Sequence, residues 1–303
     1  MKDIAKLYPT APYNFRLLLD LLGRYQHPSA DITHDDAYWR VLPADGEWAL
    51  LRVVEQGDID SPQLGISLVT ASGDVDDDSL LAQISGILAV KSDMSSFYDY
   101  ARNDPTLWSV VEPLVGLCWI RTPTVFEALM TTVIEQQIAW TAAQKAQRWL
   151  VQWADNRLTY DGIDFYAFPT EQQIAKATIE DLTPLKITFR RMAVMIDIAK
   201  QVVADELDLE GLRDCTAEEV YKSLTAIKGI GHWTAAWAIQ RSLGWHNFVG
   251  HNDVALQAAV NHYFYGGEGK IPAEKVQETF ARYDQYAGMA AHYTILRWVL
   301  DKY

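Results

Sequence analysis

Hydrophobic and polar positions change their spacing once along the chain, from a strand-like pattern to a helical one. Three apolar, β-prone runs predict strands, at 38–42, 48–54 and 64–69. Asp45-Gly46, between the first two runs, is a strong local signal for a hairpin turn. From Leu80 onward the apolar residues recur at helical spacing, and we expect helices to persist to the C-terminus.

Local signals indicate where several helices begin. Residues 13–25 predict a short amphipathic helix or an ordered entry segment before the strands. Thr124 is an N-cap for the longest helical pattern, and Gln136-Gln137 lie within it, which is unusual because buried amides need hydrogen-bond partners. The acidic cluster at 74–78 is interpreted as a solvated loop and helix start, not as a metal site.

The stretch 224–243 predicts two helices joined by a short hairpin. Gly229 and Gly231 break the first helix, and the second begins at Trp233 and ends near Gly244. Glycines permit a tight turn and leave backbone amides uncovered. The new helix also begins with unpaired N–H groups and a partial positive charge, which suit a phosphate. Taken alone, the pattern also fits an ordinary turn between packed helices.

Composition indicates a folded protein with more than one domain. The chain has 303 residues, 49% of them hydrophobic, and 11 tryptophans. No apolar run reaches the length of a membrane span, and the first residues lack the apolar block of a signal peptide. Two cysteines, Cys118 and Cys215, are too few for a disulfide framework or a four-cysteine metal site, so a reducing cytoplasm is expected.

The charge of the chain is uneven. A formal net charge of −14 argues against a nucleic-acid partner, since phosphate binding favours a basic surface. However, residues 220–252 contain no carboxylate, while Lys222, Lys228 and Arg241 lie there. The hairpin is therefore the least acidic part of an acidic chain, which is compatible with local phosphate contact.

Several motifs follow one another along nearly the whole chain, namely Phe126-Glu127-Ala128-Leu129, Glu135-Gln136-Gln137, Phe168-Pro169, the stretch from Leu224 to Ala235, and Asp253. In this order, and with 22 residues from Gly231 to Asp253, they resemble the helix-hairpin-helix DNA glycosylase superfamily. The branch most similar to the chain is that of 3-methyladenine DNA glycosylase II.

The resemblance implies an α+β, mostly α fold, with an N-terminal antiparallel sheet and two helical domains around a cleft. We expect the sheet and its helices at 1–110 and the hairpin domain at 111–246. C-terminal helices at 247–303, with some of 80–120, would form the other wall of the cleft.

Asp253 is the catalytic residue that the resemblance implies. From the residues alone it is an N-cap of the helix that follows, and the two roles are compatible because helix amides favour the ionised carboxylate. Such an anion stabilises an oxocarbenium-like sugar or orients a water molecule. His251 and Asn252 beside it do not make a metal site without a further motif.

The resemblance also implies roles for the hairpin, the pocket and the turn. The DNA backbone would be held at the hairpin by Lys228, Gly229, Ile230, Gly231, His232 and Thr234. The damaged base would lie among Trp233, Trp237 and Trp298, with Trp140 and Tyr293 as weaker candidates. Gln137 would fill the gap left by the flipped nucleotide, unless it is a structural amide.

Some residues narrow the chemistry and others depart from the family pattern. Trp233 occupies the position where bifunctional relatives carry a lysine that forms a Schiff base, which indicates a hydrolase without lyase activity. The iron–sulfur branch is excluded because its four cysteines are missing. His232, His251-Asn252 and Val254 depart from common residues at their positions, which leaves the substrate range open.

The sequence thus predicts a monofunctional glycosylase that removes alkylated purines, of the 3-methyladenine and 7-methylguanine type, by base flipping in base-excision repair. The alternatives are a glycosylase for oxidised or deaminated bases and a non-catalytic DNA-structure binder. We expect duplex DNA with a damaged base as the partner, no membrane, a monomer, and a cytoplasmic location in a bacterial or archaeal nucleoid. No cofactor or catalytic metal is expected; a monovalent cation bound at the hairpin is left open.

Overall fold

The computed structural model describes residues 1–24 and 30–302. Its first sheet contains β1 (Lys2–Leu7), β2 (Asp31–His34), β3 (Ala37–Ala44), β4 (Glu47–Glu55) and β5 (Leu64–Ala71). All pairings are antiparallel, and the strand order is β1-β5-β4-β3-β2. The rest of the described chain is largely helical, so the predicted α+β, mostly α fold is confirmed.

The β3–β4 hairpin turns where the sequence predicts it. Ala44 pairs with Glu47 across a two-residue turn. Both turn residues have positive φ, 50° at Asp45 and 89° at Gly46, and this conformation matches the twist of the strands it joins. The three predicted strands therefore lie within β3, β4 and β5.

Four strands were not expected. β1 and β2 form the two edges of the sheet. A separate hairpin of β6 (Arg157–Tyr160) and β7 (Ile163–Tyr166) contradicts the expectation of uninterrupted helices after Leu80. Its cause is tertiary: Phe165 stacks on Trp39 of β3 with ring centres 5.1 Å apart, which buries the short hairpin against the first sheet.

The helices of the described residues are α1 (Phe15–Arg24), α2 (Asp77–Ile87), α3 (Ser95–Ala101), α4 (Pro105–Val111), α5 (Val125–Glu135), α6 (Trp140–Ala154), α7 (Glu171–Lys176), α8 (Ile179–Leu182), α9 (Phe189–Val203), α10 (Ala217–Ala226), α11 (His232–Leu243), α12 (Val254–Tyr265), α13 (Ala273–Ala281) and α14 (Ala287–Lys302). The predicted helix at 13–25 is α1, and the last predicted residue lies outside the described residues. Asp76 caps α2, as the interpretation of the acidic cluster requires. No described helix is long and apolar enough to cross a membrane.

One helix is shorter than the sequence predicts. Thr124 caps α5 through its hydroxyl, as expected, but α5 ends at Glu135 and a new helix begins at Trp140. Gln136 and Gln137 therefore lie in a turn and not within a helix. The turn forms because Gln137 adopts a left-handed conformation, with φ 51°, that ends helical hydrogen bonding.

The described chain has two large hydrophobic cores and a third, small one between the first sheet and the β6–β7 hairpin. The first joins the sheet and α1–α4 to α12–α14, which return from the end of the sequence to pack on it. The second joins α5–α11. We refer to these as the sheet lobe and the hairpin lobe. The domain boundaries given above remain a prediction.

A buried ion network connects the two lobes. Arg40 of β3, only 1% exposed, donates to Asp31 at 2.7 Å and to both carboxylate oxygens of Glu127 in α5, also at 2.7 Å. Burial alone would lower the pKa of Arg40, but the two carboxylates raise it well above its ordinary value. Arg40 therefore remains charged at the seam.

Candidate active site

The hairpin between α10 and α11 is built by glycine conformation and by packing on α9. Gly229 has φ 95°, and a Cβ there would lie 2.6 Å from Val194 of α9, so this position requires glycine. Gly231 is different: it is exposed, and a Cβ there would have no neighbour within 4 Å. The surface over Gly231 is therefore open to a ligand.

The N-terminus of α11 has the features of an anion site. Gly231 is its N-cap, and no side chain among the described residues caps it. The first N–H groups of the helix thus face the hairpin surface with the positive end of the helix dipole. Lys228 is exposed beside them. The geometry suits a phosphate that is held mainly by backbone amides.

The side chains of two predicted DNA contacts are turned into the protein. The Ile230 side chain is buried, and its amide donates to the carbonyl of Ile227 at 3.0 Å. Thr234 is 2% exposed, and its hydroxyl accepts from the amide of Gln136 at 2.9 Å. Neither side chain is available to a phosphate. Lys228, Gly229, Gly231 and His232 remain at the surface of the hairpin or partly exposed.

Asp253 is the N-cap of α12, and its carboxylate is held by two neutral donors. The backbone N–H of Leu256 donates to Oδ1 at 2.8 Å, and the indole N–H of Trp233 donates to Oδ2 at 3.0 Å. Its own amide donates to the carbonyl of Gly250 at 2.8 Å. Asp253 is half-buried, so its carboxylate is fixed in orientation but reachable from outside.

The two aromatic residues predicted on α11 lie together next to Asp253. The rings of Trp233 and Trp237 are 6.5 Å apart at an angle of 60°. The Trp237 indole N–H has no partner among the described residues and lines a small cavity with Gly250 and His292. Arg241 lies 5.7 Å from the Trp237 ring centre and pairs with Glu135 at 2.7 Å. The structure thus joins the hairpin, an aromatic wall and a carboxylate.

The two pocket candidates from the C-terminal helix are not brought to Asp253. Tyr293 is fully buried in the sheet lobe, where its hydroxyl donates to the Leu117 carbonyl at 3.0 Å. Trp298 packs on His262 of α12. His262 comes nine residues after Asp253, so about 13 Å of helix separates these two residues. Tyr293 is part of the sheet-lobe core, whereas Trp298 is partly exposed on α14. Neither set of contacts joins these residues to Asp253, and their roles in the base pocket stay predictions. Trp140 opens α6 beside the Gln137 turn, and its role in the pocket stays a prediction.

The two glutamines of the α5–α6 turn have different environments. Gln137 is exposed at the tip of the turn. Gln136 is partly buried and donates from its side-chain amide to the Gly229 carbonyl at 3.2 Å and to Thr234. The turn and the hairpin therefore lie side by side, although 93 residues separate them in sequence.

Two histidines connect the hairpin to the loop that carries Asp253. The rings of His232 and His251 stack with centres 4.6 Å apart, and His232 also contacts the Val249 carbonyl and the Tyr221 hydroxyl, at 2.8 and 2.9 Å. Burial and the neighbouring His232 lower the pKa of His251. Sequence reasoning noticed the histidines as departures but missed Tyr221, for which helical spacing alone gave no signal.

No metal cluster accompanies these residues. Across the described ranges, no three His, Cys, Asp or Glu side chains are placed to hold a metal ion.

The fold and site define a two-lobed protein in which a helix-hairpin-helix lies next to a fixed carboxylate. A DNA-3-methyladenine glycosylase of Bacillus subtilis (strain 168) is 32% identical over 165 residues, which are 54% of this chain and 54% of that protein. The chain thus matches about half the length of this curated relative. No protein-family model matches the chain.

Solved structures extend the likeness in fold over almost the whole chain. The 3-methyladenine DNA glycosylase from Archaeoglobus fulgidus has a TM-score of 0.82 and 23% identity, with 98% of each chain covered. The 8-oxoguanine glycosylase/lyase of Clostridium acetobutylicum has a TM-score of 0.74 and 17% identity, with 98% of this chain and 97% of that chain covered. These likenesses show that the chain has the fold of these DNA glycosylases over almost its whole length.

Proposed function

We propose that this protein is a monofunctional DNA glycosylase that hydrolyses the N-glycosidic bond of alkylated purines in duplex DNA. The observation that carries the proposal is the geometry of Asp253. Its carboxylate is half-exposed, is held by the N–H groups of Leu256 and Trp233, and lies next to a hairpin suited to phosphate. The relatives named as 3-methyladenine glycosylases support the same substrate class.

The reaction places positive charge where Asp253 can act on it. The bond between the sugar carbon and the base nitrogen breaks, and the base departs with the electron pair. The sugar becomes oxocarbenium-like, and a nearby fixed carboxylate lowers the energy of that cation. A water oxygen then bonds to the sugar carbon and loses a proton, which leaves an abasic site.

The tryptophan pair favours a cationic base. An N3- or N7-alkylated purine carries a positive charge, and an indole face attracts it by roughly 0.5–2 kcal/mol. The charged base is also a good leaving group, so the reaction needs no dedicated acid. Trp233 further removes the lyase route, because this position offers no amine to form a Schiff base.

Access to the bond requires base flipping. A glycosidic bond inside a duplex is out of reach, so the nucleotide must leave the stack. The open amides at Gly231 are suited to hold the strand through a phosphate without reading sequence. The net charge of −14 opposes this contact, so we expect weak binding to undamaged DNA.

A panel of oligonucleotide duplexes tests the proposal directly. Duplexes with a 7-methylguanine, hypoxanthine or 8-oxoguanine base are incubated with the protein, and the free base is measured. We expect release of the methylated purine, with an abasic site as product and no covalent adduct after borohydride treatment.

Other outcomes identify the alternatives. Preferential release of 8-oxoguanine or hypoxanthine would assign the enzyme to oxidised or deaminated bases. A borohydride adduct would overturn the monofunctional assignment. Binding without any base release would leave a DNA-structure binder.

A further inference from the structure

The α5–α6 turn is tied to the hairpin by one side chain. Gln136 donates both of its amide bonds across the interface, to the Gly229 carbonyl at 3.2 Å and to the Thr234 hydroxyl at 2.9 Å. The first acceptor is the glycine at the hairpin bend, and the second lies in the first turn of α11. Gln136 thus joins the turn to the hairpin bend and to the start of α11, the two parts of the predicted phosphate site.

The same turn is fixed from behind by α9. The Arg191 guanidinium is buried and donates to the Ile134 carbonyl at 3.2 Å and to the Gln136 carbonyl. These acceptors are at the end of α5, where carbonyls lack helical partners. Val194, one turn further along α9, packs over Gly229. Both the α5–α6 turn and the hairpin are therefore packed on α9.

Gln137 is held in an unusual conformation at the tip of this assembly. It has φ 51°, a region that residues other than glycine rarely adopt, and it is exposed. Strained backbone at an exposed position persists only where the surrounding structure fixes it. Here the bonds of Gln136 and Arg191, immediately before Gln137, supply that restraint.

We propose that Gln136 is a positioning residue that holds the α5–α6 turn against the hairpin. Gln137 is thereby held in place to enter the DNA while the hairpin binds a phosphate. The proposal rests on the proposed function, in which Gln137 fills the gap left by a flipped nucleotide. It assigns the two adjacent glutamines opposite roles. Gln136 faces the protein and stays there, while Gln137 faces outward and meets the DNA.

The role depends on hydrogen bonds and not on shape. Methionine at position 136 keeps the length of the side chain but donates neither bond. Glutamate keeps the shape but places a carboxylate against the Gly229 carbonyl, which is repulsive. Both substitutions should release the turn from the hairpin while the two cores stay intact.

Binding to a duplex with an abasic site measures this role without requiring base release. Such a duplex already contains a gap, so filling it contributes to affinity, whereas an intact duplex offers no gap. For Gln136→Met we expect binding to the abasic duplex to weaken about tenfold, because the released turn must be ordered again when Gln137 enters the gap, with less than twofold change on the intact duplex. Gln137→Ala should show the same selectivity, and Gln136→Glu should be at least as weak as Gln136→Met.

A double variant tests whether the two glutamines act together. If Gln136 acts through Gln137, Gln136→Met with Gln137→Ala should bind the abasic duplex no more than about twofold less tightly than the weaker single variant. Gln83→Met is the matched control, because Gln83 also donates to a backbone carbonyl, that of Pro43 at 3.0 Å, in the sheet lobe. This control should bind both duplexes as the wild type does.

Three results would overturn the proposal. They are an equal loss of affinity on both duplexes, unchanged binding of the abasic duplex by Gln136→Met, and fully multiplicative effects in the double variant. A wild-type protein that releases no base would refute the proposed glycosylase, but this binding comparison would still decide the role of Gln136.

Discussion

Two buried or half-buried carboxylates of this molecule differ in what holds them. Glu127 faces the Arg40 guanidinium at the seam between the lobes, with both oxygens at 2.7 Å. Asp253 accepts only from the neutral N–H groups of Leu256 and Trp233, and it makes no ion pair among the described residues. The Glu127 carboxylate faces a guanidinium, whereas the Asp253 carboxylate faces no cationic side chain among the described residues.

The difference separates a structural charge from a chemical one. A buried ion pair satisfies itself and leaves no field for a third group. Neutral donors hold a carboxylate in place and favour its ionised form without cancelling its charge. In the proposed reaction, a cation that develops on the sugar would interact with Asp253, whereas Glu127 is already paired with Arg40. Fixed orientation with an unpaired charge is what electrostatic stabilisation of a transition state requires.

The largest effect on stability should come from the seam. Glu127→Ala removes one partner of the buried Arg40 and leaves its charge with Asp31 alone, so we expect a loss of about 3 kcal/mol in the free energy of unfolding. The rate of base release per folded molecule should stay near that of the wild type. Urea unfolding and an activity assay on the folded fraction measure the two quantities.

A second ion pair supplies the control for this prediction. Arg16 pairs with Glu55 at 2.6 Å, but the arginine side chain is 86% exposed. Glu55→Ala should therefore cost less than about 1 kcal/mol. Equal losses for the two variants would show that the seam is not a buried network in solution.

A smaller effect, on catalysis and not on stability, is expected at Trp233. Trp233→Phe keeps an aromatic ring but removes the N–H that donates to Asp253. A hydrogen bond to a charged group contributes about 1.5–3 kcal/mol, so base release should slow by about 10- to 100-fold. Single-turnover kinetics on a 7-methylguanine duplex measure the rate.

The control for the indole is Trp149→Phe, since Trp149 stacks on Trp153 in α6, away from Asp253. This variant should release base at the wild-type rate. An unchanged rate for Trp233→Phe would mean that the indole N–H does not orient the catalytic carboxylate.

Features that depend on adjacent residues could be predicted from the sequence. Features that depend on contacts between residues far apart in the sequence could not. The Asp45-Gly46 turn and the N-caps at Thr124 and Asp253 depend on a few adjacent residues, and the structure has them where expected. The β6–β7 hairpin instead depends on Trp39, more than a hundred residues earlier. Local spacing carries no signal for such a contact.

The site shows the same division. The order of motifs located the hairpin. Helical spacing did not separate a pocket position from a core position on α14, where Tyr293 is buried in the core. Helical spacing also placed Gln136 and Gln137 within one helix. The turn that interrupts it is held by hydrogen bonds that Gln136 makes with Arg191 and Gly229, which lie in elements distant in sequence. Side-chain roles at this site depend on long-range contacts that a single sequence does not contain.

The charge of Asp253 is tested most directly by Asp253→Asn. Asparagine keeps the oxygen that accepts from the Leu256 N–H, so the helix cap and the fold should be retained, while its amide nitrogen replaces the oxygen that accepts from Trp233. With the negative charge lost, we expect single-turnover release of 7-methylguanine to fall by about 100- to 1,000-fold, while the affinity for the duplex stays within about twofold. Base release within about threefold of the wild-type rate would contradict the account.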